Sequence, residues 1–454
     1  MCYSLRRCAQ DAKRHGDLYF AALLPEHSIQ QAFDKASAKW QGPIYTPAAL
    51  VWCFLSQILS TDHGCRETVA RLNAFRAAQG KCLCSPETGG YCIARDKLPE
   101  AVCQHLFEQA GGDIARTAPE SWRWHGRRVR VVDGTTITMP DTPDNQAEYP
   151  QPDSQRPGCG FPILRMVVLF CLATGVALEL ALGRYQGKQT GEASLSRSIS
   201  DALEFGDVLL GDRIFCGWFD VALLEQRGVD LVLRKHHSRK TDFRTGRRLG
   251  KDDHLVAWDK PPKPQWMDRA TYDSLPKFII LRELRVRITT PGFRTREILV
   301  MTTLVDHERF TKGEIAELYR RRWQAELNLR SLKCVLQMDH LRCLKPHRVR
   351  NELRMHFLGY NLLRGVMVEA AAKAGLEPWQ VSFKGALQTV NEFLRTLLAA
   401  SDVGAWSEAL LNCVAAHVVG ERPNRAEPRV RKRRPKNYPL MKQPRHAYQN
   451  RAAA

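Results

Sequence analysis

The chain has 454 residues, enough for two or three domains, and its apolar fraction of 44% is typical of a globular protein rather than a disordered basic one. Lysine and arginine number 68 against 48 aspartate and glutamate, and the net charge of +20 predicts a polyanionic partner. Nucleic acid is the first candidate, and a membrane surface or the ribosome is the alternative. The longest apolar run, 166–178, is too short to span a bilayer and no apolar segment follows the basic N-terminal residues, so we expect a cytoplasmic protein that does not enter the membrane.

Residues 1–120 are predicted to form an N-terminal helical domain. The segments 46–59 and 65–79 carry apolar residues at helical spacing, and a proline lies near the start of the first. Residues 84–100 contain several turn-forming residues and are predicted to be a loop. The cysteines around this loop lack the repeated C-x-x-C spacing of a zinc site, so we interpret them as reduced thiols that pack in the interior. They are Cys82, Cys84, Cys92 and Cys103.

Residues 121–385 are predicted to form an α/β domain. The run 165–185 divides at Thr174-Gly175 into two apolar strands, which predicts a buried hairpin. Further strands are predicted at 127–139, 207–212 and 230–235, with helices at 191–205 and 218–228. An antiparallel set of strands followed by alternation with helices is typical of a mixed sheet.

The rest of the chain is predicted to contain an insertion and a tail. Residues 235–304 begin as a basic stretch with glycines and prolines and end in two strand-like runs, so we interpret them as a β-rich insertion. The chain becomes helical again from residue 311. Residues 386–454 are predicted to be a helical segment and a basic tail, in which 421–454 hold eleven Lys and Arg against two acids. We expect a disordered arm that contacts phosphates, and the alternative is a solvated tail without function.

One carboxylate stands among positive charges in the segment 311–336. On a continuous helix, Tyr319, Arg322, Glu326 and Lys333 fall within about 60° of one another, along the edge of an apolar stripe. Two interpretations are open for Glu326. It is either a structural glutamate held in salt bridges, or a metal ligand whose neighbours hold phosphates.

Two aspartates favour the second interpretation. Asp133 and Asp212 each lie where an apolar strand emerges, beside a glycine. Either alone would more often cap a turn, but three acids on two strands and a helix of one α/β unit indicate a shared site. Phosphodiester cleavage by water is accelerated by two divalent cations, and Mg²⁺ prefers carboxylate ligands. The sequence therefore predicts a site for two Mg²⁺ ions, with Mn²⁺ as a substitute.

Three blocks of sequence resemble those of bacterial DDE transposases of insertion-sequence family four. The blocks are "VVDGTTITMPDTPDN", "LLGDRIF" and "YRRRWQAELNLRSLK", and the third fits the pattern Tyr-x2-Arg-x3-Glu-x6-Lys of that family at Tyr319, Arg322, Glu326 and Lys333. Other segments between residues 45 and 440 also resemble the family.

The resemblance implies an RNase H-like mixed-sheet catalytic core with the β-rich insertion between the second aspartate and the glutamate. It implies cut-and-paste transposition by 3′-strand nicking, hairpin formation and resolution, and strand transfer. By position, Asp133, Asp212 and Glu326 are expected to be catalytic metal ligands. The other three residues of the third block, Tyr319, Arg322 and Lys333, are expected to bind DNA. The expected partners are double-stranded DNA, both terminal inverted repeats and target, and a second copy of the chain in a homodimeric synaptic complex.

Two rival functions share some of these features. A non-transposing nuclease on the same core would use the three acids, but would not need the third-block spacing or the insertion. A non-catalytic DNA-binding repressor derived from a transposase would bind DNA without metal. Near the site, Trp323 is expected either to pack or to stack on a displaced base, and Asp141 and Asp144 are expected to form turns.

Overall fold

The computed structural model describes residues 4–287, 297–420 and 440–452. Strands in these ranges form one nine-stranded sheet with the order β3-β2-β1-β4-β5-β9-β8-β7-β6. The strands are β1 (Val129–Thr138), β2 (Ile163–Cys171), β3 (Ala177–Arg184), β4 (Val208–Gly211), β5 (Asp230–Arg234), β6 (Arg247–Gly250), β7 (Asp253–Asp259), β8 (Phe278–Arg287) and β9 (Glu297–Thr302). Most of the predicted arm, 421–439, lies outside the described residues.

The sheet is mixed, as predicted. Strands β1, β2 and β3 are antiparallel neighbours, whereas β4 runs parallel to β1 and β5 runs parallel to β4. Strand β9 then pairs antiparallel with β5, and β8, β7 and β6 follow in antiparallel order. The predicted insertion therefore extends the same sheet instead of folding apart from it.

Helices cover both faces of the sheet. They are α1 (Leu5–His15), α2 (Glu26–Lys35), α3 (Pro47–Leu59), α4 (Cys65–Ala78), α5 (Gly89–Lys97), α6 (Glu100–Arg116), α7 (Pro143–Glu148), α8 (Glu192–Ser198), α9 (Trp218–Gln226), α10 (Arg269–Ser274), α11 (Lys312–Arg321), α12 (Trp323–Arg330), α13 (Pro346–Lys373), α14 (Phe383–Thr396), α15 (Val403–Ala416) and α16 (Arg445–Ala452). Because side chains alternate along a strand, Val131 of β1 joins a large core with the N-terminal and C-terminal helices, and Val132 joins a smaller core with α8 and α9. No helix in the described ranges is long and apolar enough to cross a membrane.

The predicted loop at 84–100 is wrong, because its central part forms α5. Tyr91 and Ala94 are buried three residues apart on one face of this helix, and the Tyr91 hydroxyl donates to Oε1 of Gln57 at 2.9 Å. The turn-forming residues fall before the helix and in its first turn, and a proline follows its end. They mark the boundaries of a short helix that is stabilised by packing.

The predicted helical segment 311–336 is confirmed, but it is not one regular α-helix. A capping box formed by Thr311 and Glu314 starts α11, the regular α-helix is interrupted at Arg322, whose φ of −50° and ψ of −33° are still helical, and α12 follows. A turn of π-helix, Ser331–Val335, ends this segment. An angle of 100° per residue therefore does not carry from Tyr319 to Lys333. Turns of π-helix are frequent at functional sites.

Candidate active site

The pairing of β1 with β4 places Asp133 and Asp212 at the same level of the sheet. Val131 pairs with Leu210 in a parallel register, and each aspartate lies two residues further along its strand direction. Adjacent strands are about 4.8 Å apart. Val131 and Leu210 both face the large core, so the alternation of side chains directs both aspartates to the face that α12 covers.

The pKa of Asp133 is raised to about 6. Burial is the largest cause, and the nearby charges of Glu326 and Asp212 also act in this direction. The guanidinium of Arg322 opposes this shift, as does the Gly134 N–H, which donates to Oδ1 of Asp133 at 2.9 Å. Three carboxylates thus share one electrostatic environment, and a cation bound among them would relieve their repulsion.

Glu326 shows features of both interpretations that its sequence left open. Helix α12 packs on β1, and Nη2 of Arg322 lies 2.8 Å from Oε1 of Glu326. The Arg322 side chain is 15% exposed and the Glu326 side chain 38%, so the ion pair lies at the edge of the core. Glu326 is therefore a salt-bridged residue that also contributes to the charge around Asp133.

The structure brings Tyr319 and Lys333 to the same region, but in different ways. Tyr319 is buried, burial raises its pKa to about 12, and Arg322 lies 5.9 Å from the centre of its ring. Lys333 donates to Oγ1 of Thr135 at 2.9 Å and to the carbonyl oxygen of Thr136 at 3.0 Å. Lys333 is thus anchored to β1 just beyond Asp133, through its position in the π-helical turn.

Glu192 is a fourth carboxylate at this edge, and the sequence analysis missed it. A Cβ atom on Gly134 would lie 2.5 Å from Cδ of Glu192, so the carboxyl group of Glu192 occupies the space that a side chain would need. Burial raises the pKa of Glu192, Arg165 lowers it, and Asp212 raises it. In the sequence, Glu192 is an acid in the first turn of a predicted helix. Acids are common at such positions, so the sequence pattern alone does not indicate a functional site.

The two other aspartates near the first block have local structural roles. Oδ1 of Asp141 accepts a hydrogen bond from Nε2 of Gln146 at 2.8 Å, and Asp144 lies in the first turn of α7. Trp323 begins α12 with 41% of its surface exposed. The predicted turn at these aspartates is wrong, because Asp144 lies inside α7 and Asp141 in irregular backbone before it. The exposure of Trp323 leaves both of its interpretations open.

The side chains of the three predicted ligands do not surround a common point in this structure. In the described ranges, no group of three or more His, Cys, Asp or Glu side chains is arranged to hold a metal ion. Arg322 holds one oxygen of Glu326, and the Ile214 N–H donates to Oδ1 of Asp212 at 2.7 Å. The donor chemistry fits hard divalent cations, because the three predicted ligands are all carboxylates.

A mixed sheet with one acid within β1, a second directly after β4 and a third on a covering helix is the arrangement expected of a DDE enzyme. The strand β1 does not end at Asp133, as the sequence suggested, but continues to Thr138. Residues 124–362 match the model of the family described as Transposase DDE domain, and the chain belongs to this family. It is a DDE transposase, a class of enzymes that cut and join DNA and depend on divalent metal ions.

The relatives specify the kind of transposase. The chain is 27% identical over 403 residues to the transposase InsG for insertion sequence element IS4 of Escherichia coli K12, which covers 86% of each chain. It is 24% identical over 136 residues to the putative transposase InsZ of the same organism, covering 30% of this chain and 44% of that one. A solved piggyBac transposase synaptic complex with hairpin DNA aligns with a TM-score of 0.44 at 10% identity, over 91% of this chain and 85% of that one. The similarity to InsG confirms the predicted resemblance to insertion-sequence family four.

Proposed function

We propose that this DDE transposase moves an insertion sequence by a metal-dependent cut-and-paste reaction, with Asp133, Asp212 and Glu326 as metal ligands. The steps are 3′-strand nicking, hairpin formation, hairpin resolution and strand transfer. The observation that supports these ligands best is the register of β1 and β4, which aligns the two aspartates beneath the helix that carries Glu326. Each step is an in-line attack on phosphorus, so one site serves all four.

The topology supports an RNase H-like catalytic core within 121–385. Strands β1–β5 have the order 3-2-1-4-5, with an antiparallel meander followed by two parallel strands. Strands β6–β9 belong to the proposed insertion, 235–304. On this assignment residues 1–120 are a DNA-binding domain and residues 386–454 a helical segment with a basic tail.

The metal ions are proposed to be two Mg²⁺, with Mn²⁺ as a substitute. When bound, they supply a water activated for attack and neutralise charge that develops on the phosphate. Arg322 is proposed to exchange Glu326 for a DNA phosphate, which it can hold bidentately. That exchange frees the Glu326 carboxylate as DNA arrives. Tyr319 and Lys333, beside it, are proposed to hold the same DNA strand.

The proposed partners are double-stranded DNA, as terminal inverted repeats and as target, and a second copy of the chain in the synaptic complex. The net charge of +20 supports binding to the phosphate backbone. Sequence recognition requires contacts away from the metal ligands, and we assign it to residues 1–120.

The test is cleavage of DNA that carries the flanking inverted repeats, with Mg²⁺, by Glu326→Gln, Asp133→Asn and Asp212→Asn. We expect each variant to bind this DNA and to cleave it at least about 100-fold more slowly, because each loses a charged ligand. The matched control is Glu317→Gln, since Glu317 is an exposed acid on α11 that pairs with Arg320 at 2.6 Å. Wild-type cleavage by Glu326→Gln would remove Glu326 from the mechanism. Strand transfer of precut ends distinguishes a transposase from a non-transposing nuclease.

A further inference from the structure

Arg364 is a buried cation without a carboxylate partner. Its side chain lies in α13 and is 7% exposed, and among the described residues no Asp or Glu oxygen lies within 4.0 Å of it. Its guanidinium carbon is 5.4 Å from the ring centre of Tyr360 and 5.8 Å from that of Phe383. A buried charge without a counter-ion is costly, so its hydrogen bonds and ring contacts must compensate.

The hydrogen bonds of Arg364 join three elements. Nη2 donates to Oδ1 of Asn328 in α12, and Nε donates to the Tyr360 hydroxyl at 3.0 Å. The Tyr360 hydroxyl donates in turn to the carbonyl oxygen of Gly175, in the turn between β2 and β3, at 2.6 Å. Gly175 has a φ of +74°, which glycine adopts without strain, and a Cβ atom there would lie 3.0 Å from the guanidinium carbon of Arg364. Both the backbone conformation and the lack of space therefore favour glycine at this position.

Asn361, the residue after Tyr360, also joins α13 to the β2–β3 hairpin. Asn361 is fully buried, its Oδ1 accepts from the Ala177 N–H at 2.9 Å, and its Nδ2 donates to the Ala177 carbonyl oxygen at 2.8 Å. Helix α13 is therefore held rigidly against the β2–β3 hairpin. Since β2 also pairs with β1, α13 has a fixed position relative to Asp133.

Helix α12 depends on such contacts for its orientation. It has only eight residues, between the interruption of the regular α-helix at Arg322 and the π-helical turn, and so short a helix has little stability of its own. Asn328 is 5% exposed and lies two residues after Glu326, about 200° further round the helix. The bond from Arg364 thus holds the side of α12 opposite to Glu326.

We propose that Arg364 and Asn328 position Glu326 for metal binding. Together they fix the rotation of α12 relative to β1, and hence the distance of the Glu326 carboxylate from the two aspartates. On this proposal both are positioning residues and neither is itself a metal ligand. This inference rests on the proposed role of Glu326 as a metal ligand.

The test compares Asn328→Ala with Asn351→Ala. Asn351 is a matched control, because it is 2% exposed on α13 and its Nδ2 donates to the Leu98 carbonyl oxygen at 2.8 Å, away from α12. Three quantities are measured: the melting temperature, the Mn²⁺ concentration that gives half-maximal DNA cleavage, and Mn²⁺ binding by electron paramagnetic resonance to the protein in complex with precut inverted-repeat DNA, with the DNA alone as the blank. We expect both variants to melt lower, and Asn328→Ala alone to weaken Mn²⁺ binding and raise the half-maximal Mn²⁺ concentration, each about tenfold.

The conservative variant Asn328→Asp keeps an acceptor for Arg364, and we expect it to retain wild-type Mn²⁺ dependence. If Asn328→Ala does not fold, Asn328→Ser replaces it in the comparison with Asn351→Ala. The serine side chain leaves a smaller cavity than alanine does and is still too short to reach Arg364. A wild-type Mn²⁺ dependence in the Ala or Ser variant, or an equal change in Asn351→Ala, would overturn the proposal. The variant Glu326→Gln distinguishes failure of the metal-ligand role of Glu326 from failure of the positioning role of Asn328 and Arg364. If Glu326→Gln binds Mn²⁺ and cleaves DNA normally, the metal-ligand role fails. If Glu326→Gln is impaired but the Asn328 variants are not, only the positioning role fails.

Discussion

At the scale of single residues, two acids that flank the same strand have different surroundings. The segment "DVLLGD" has an aspartate on either side of β4. Asp207 is completely buried, and it accepts hydrogen bonds from Nε of Arg128 at 2.8 Å and from Nε of Arg130 at 3.3 Å. Asp212, at the other end, lies level with Asp133. The sequence predicted Asp212 as a residue at the end of a strand. It contains no signal that Asp207 is a structural anchor, because both arginine partners of Asp207 are about 80 residues away along the chain.

Replacing Asp207 by alanine is expected to destabilise the protein strongly. The change leaves Arg130, whose side chain is 7% exposed, without its buried counter-ion, whereas Arg128 keeps Glu204 at 2.7 Å. Breaking a buried pair lowers the free energy of unfolding by about 3–5 kcal/mol. Chemical denaturation measures this value. Asp201→Ala is the control, since Asp201 is 98% exposed and its partner Arg227 lies 3.2 Å away at the surface, so we expect a change within about 0.5 kcal/mol. Equal losses for the two variants would contradict the anchoring role of Asp207.

At the scale of secondary structure, the sequence predicted what depends on local patterns. The hairpin turned near Thr174-Gly175 is confirmed, as are the strands that carry Asp133 and Asp212, because alternation and turn residues are short-range signals. The helical nature of 89–97 was missed, since its stability comes from burying Tyr91 against another helix. The joining of the insertion to β5 required pairing with β9, some 70 residues away, which no local pattern reveals.

The packing of α6 on β3 predicts a dependence of stability on pH. Burial raises the pKa of Glu179 in β3 to about 7 from an ordinary value of 4.5, and the charge of Glu108 in α6 raises it too. The folded state therefore binds the proton more tightly than the unfolded state does. This contribution to stability is complete below about pH 4.5 and is lost as the pH rises through 7.

Replacing Glu179 by glutamine removes this dependence. At pH 8 we expect Glu179→Gln to be more stable than the wild type by about 1–2 kcal/mol, a value reduced from the full pKa shift because the side chain is partly exposed. At pH 4.5 the two proteins are expected to unfold alike, since Glu179 is then largely protonated. Denaturant titrations at the two pH values measure the difference. A gain of equal size at both would indicate an effect of packing rather than of charge.

At the scale of the whole molecule, positive charge is concentrated in the C-terminal residues. Residues 421–454 hold eleven Lys and Arg against two acids, so they carry +9 of the net charge of +20. The described part of this segment contacts the loop between α7 and β2, where Nη1 of Arg156 donates to the carbonyl oxygen of Lys442 at 3.3 Å.

This concentration of charge predicts that the tail contributes to DNA binding through phosphate contacts. A protein that neutralises phosphates releases counter-ions, and the logarithm of its binding constant falls against the logarithm of salt concentration by about 0.9 for each phosphate contact. Replacing the eleven Lys and Arg of the tail by glutamine is expected to reduce the slope by roughly 3 or more, if about a third of them contact phosphate. Fluorescence anisotropy with inverted-repeat DNA between 50 and 300 mM salt, roughly the range over which such slopes are resolved, measures it. A tail with the same residues in scrambled order keeps its charge and is expected to keep the wild-type slope. An unchanged slope in the glutamine variant would place the phosphate contacts on the folded domains, and the tail would then be a solvated extension.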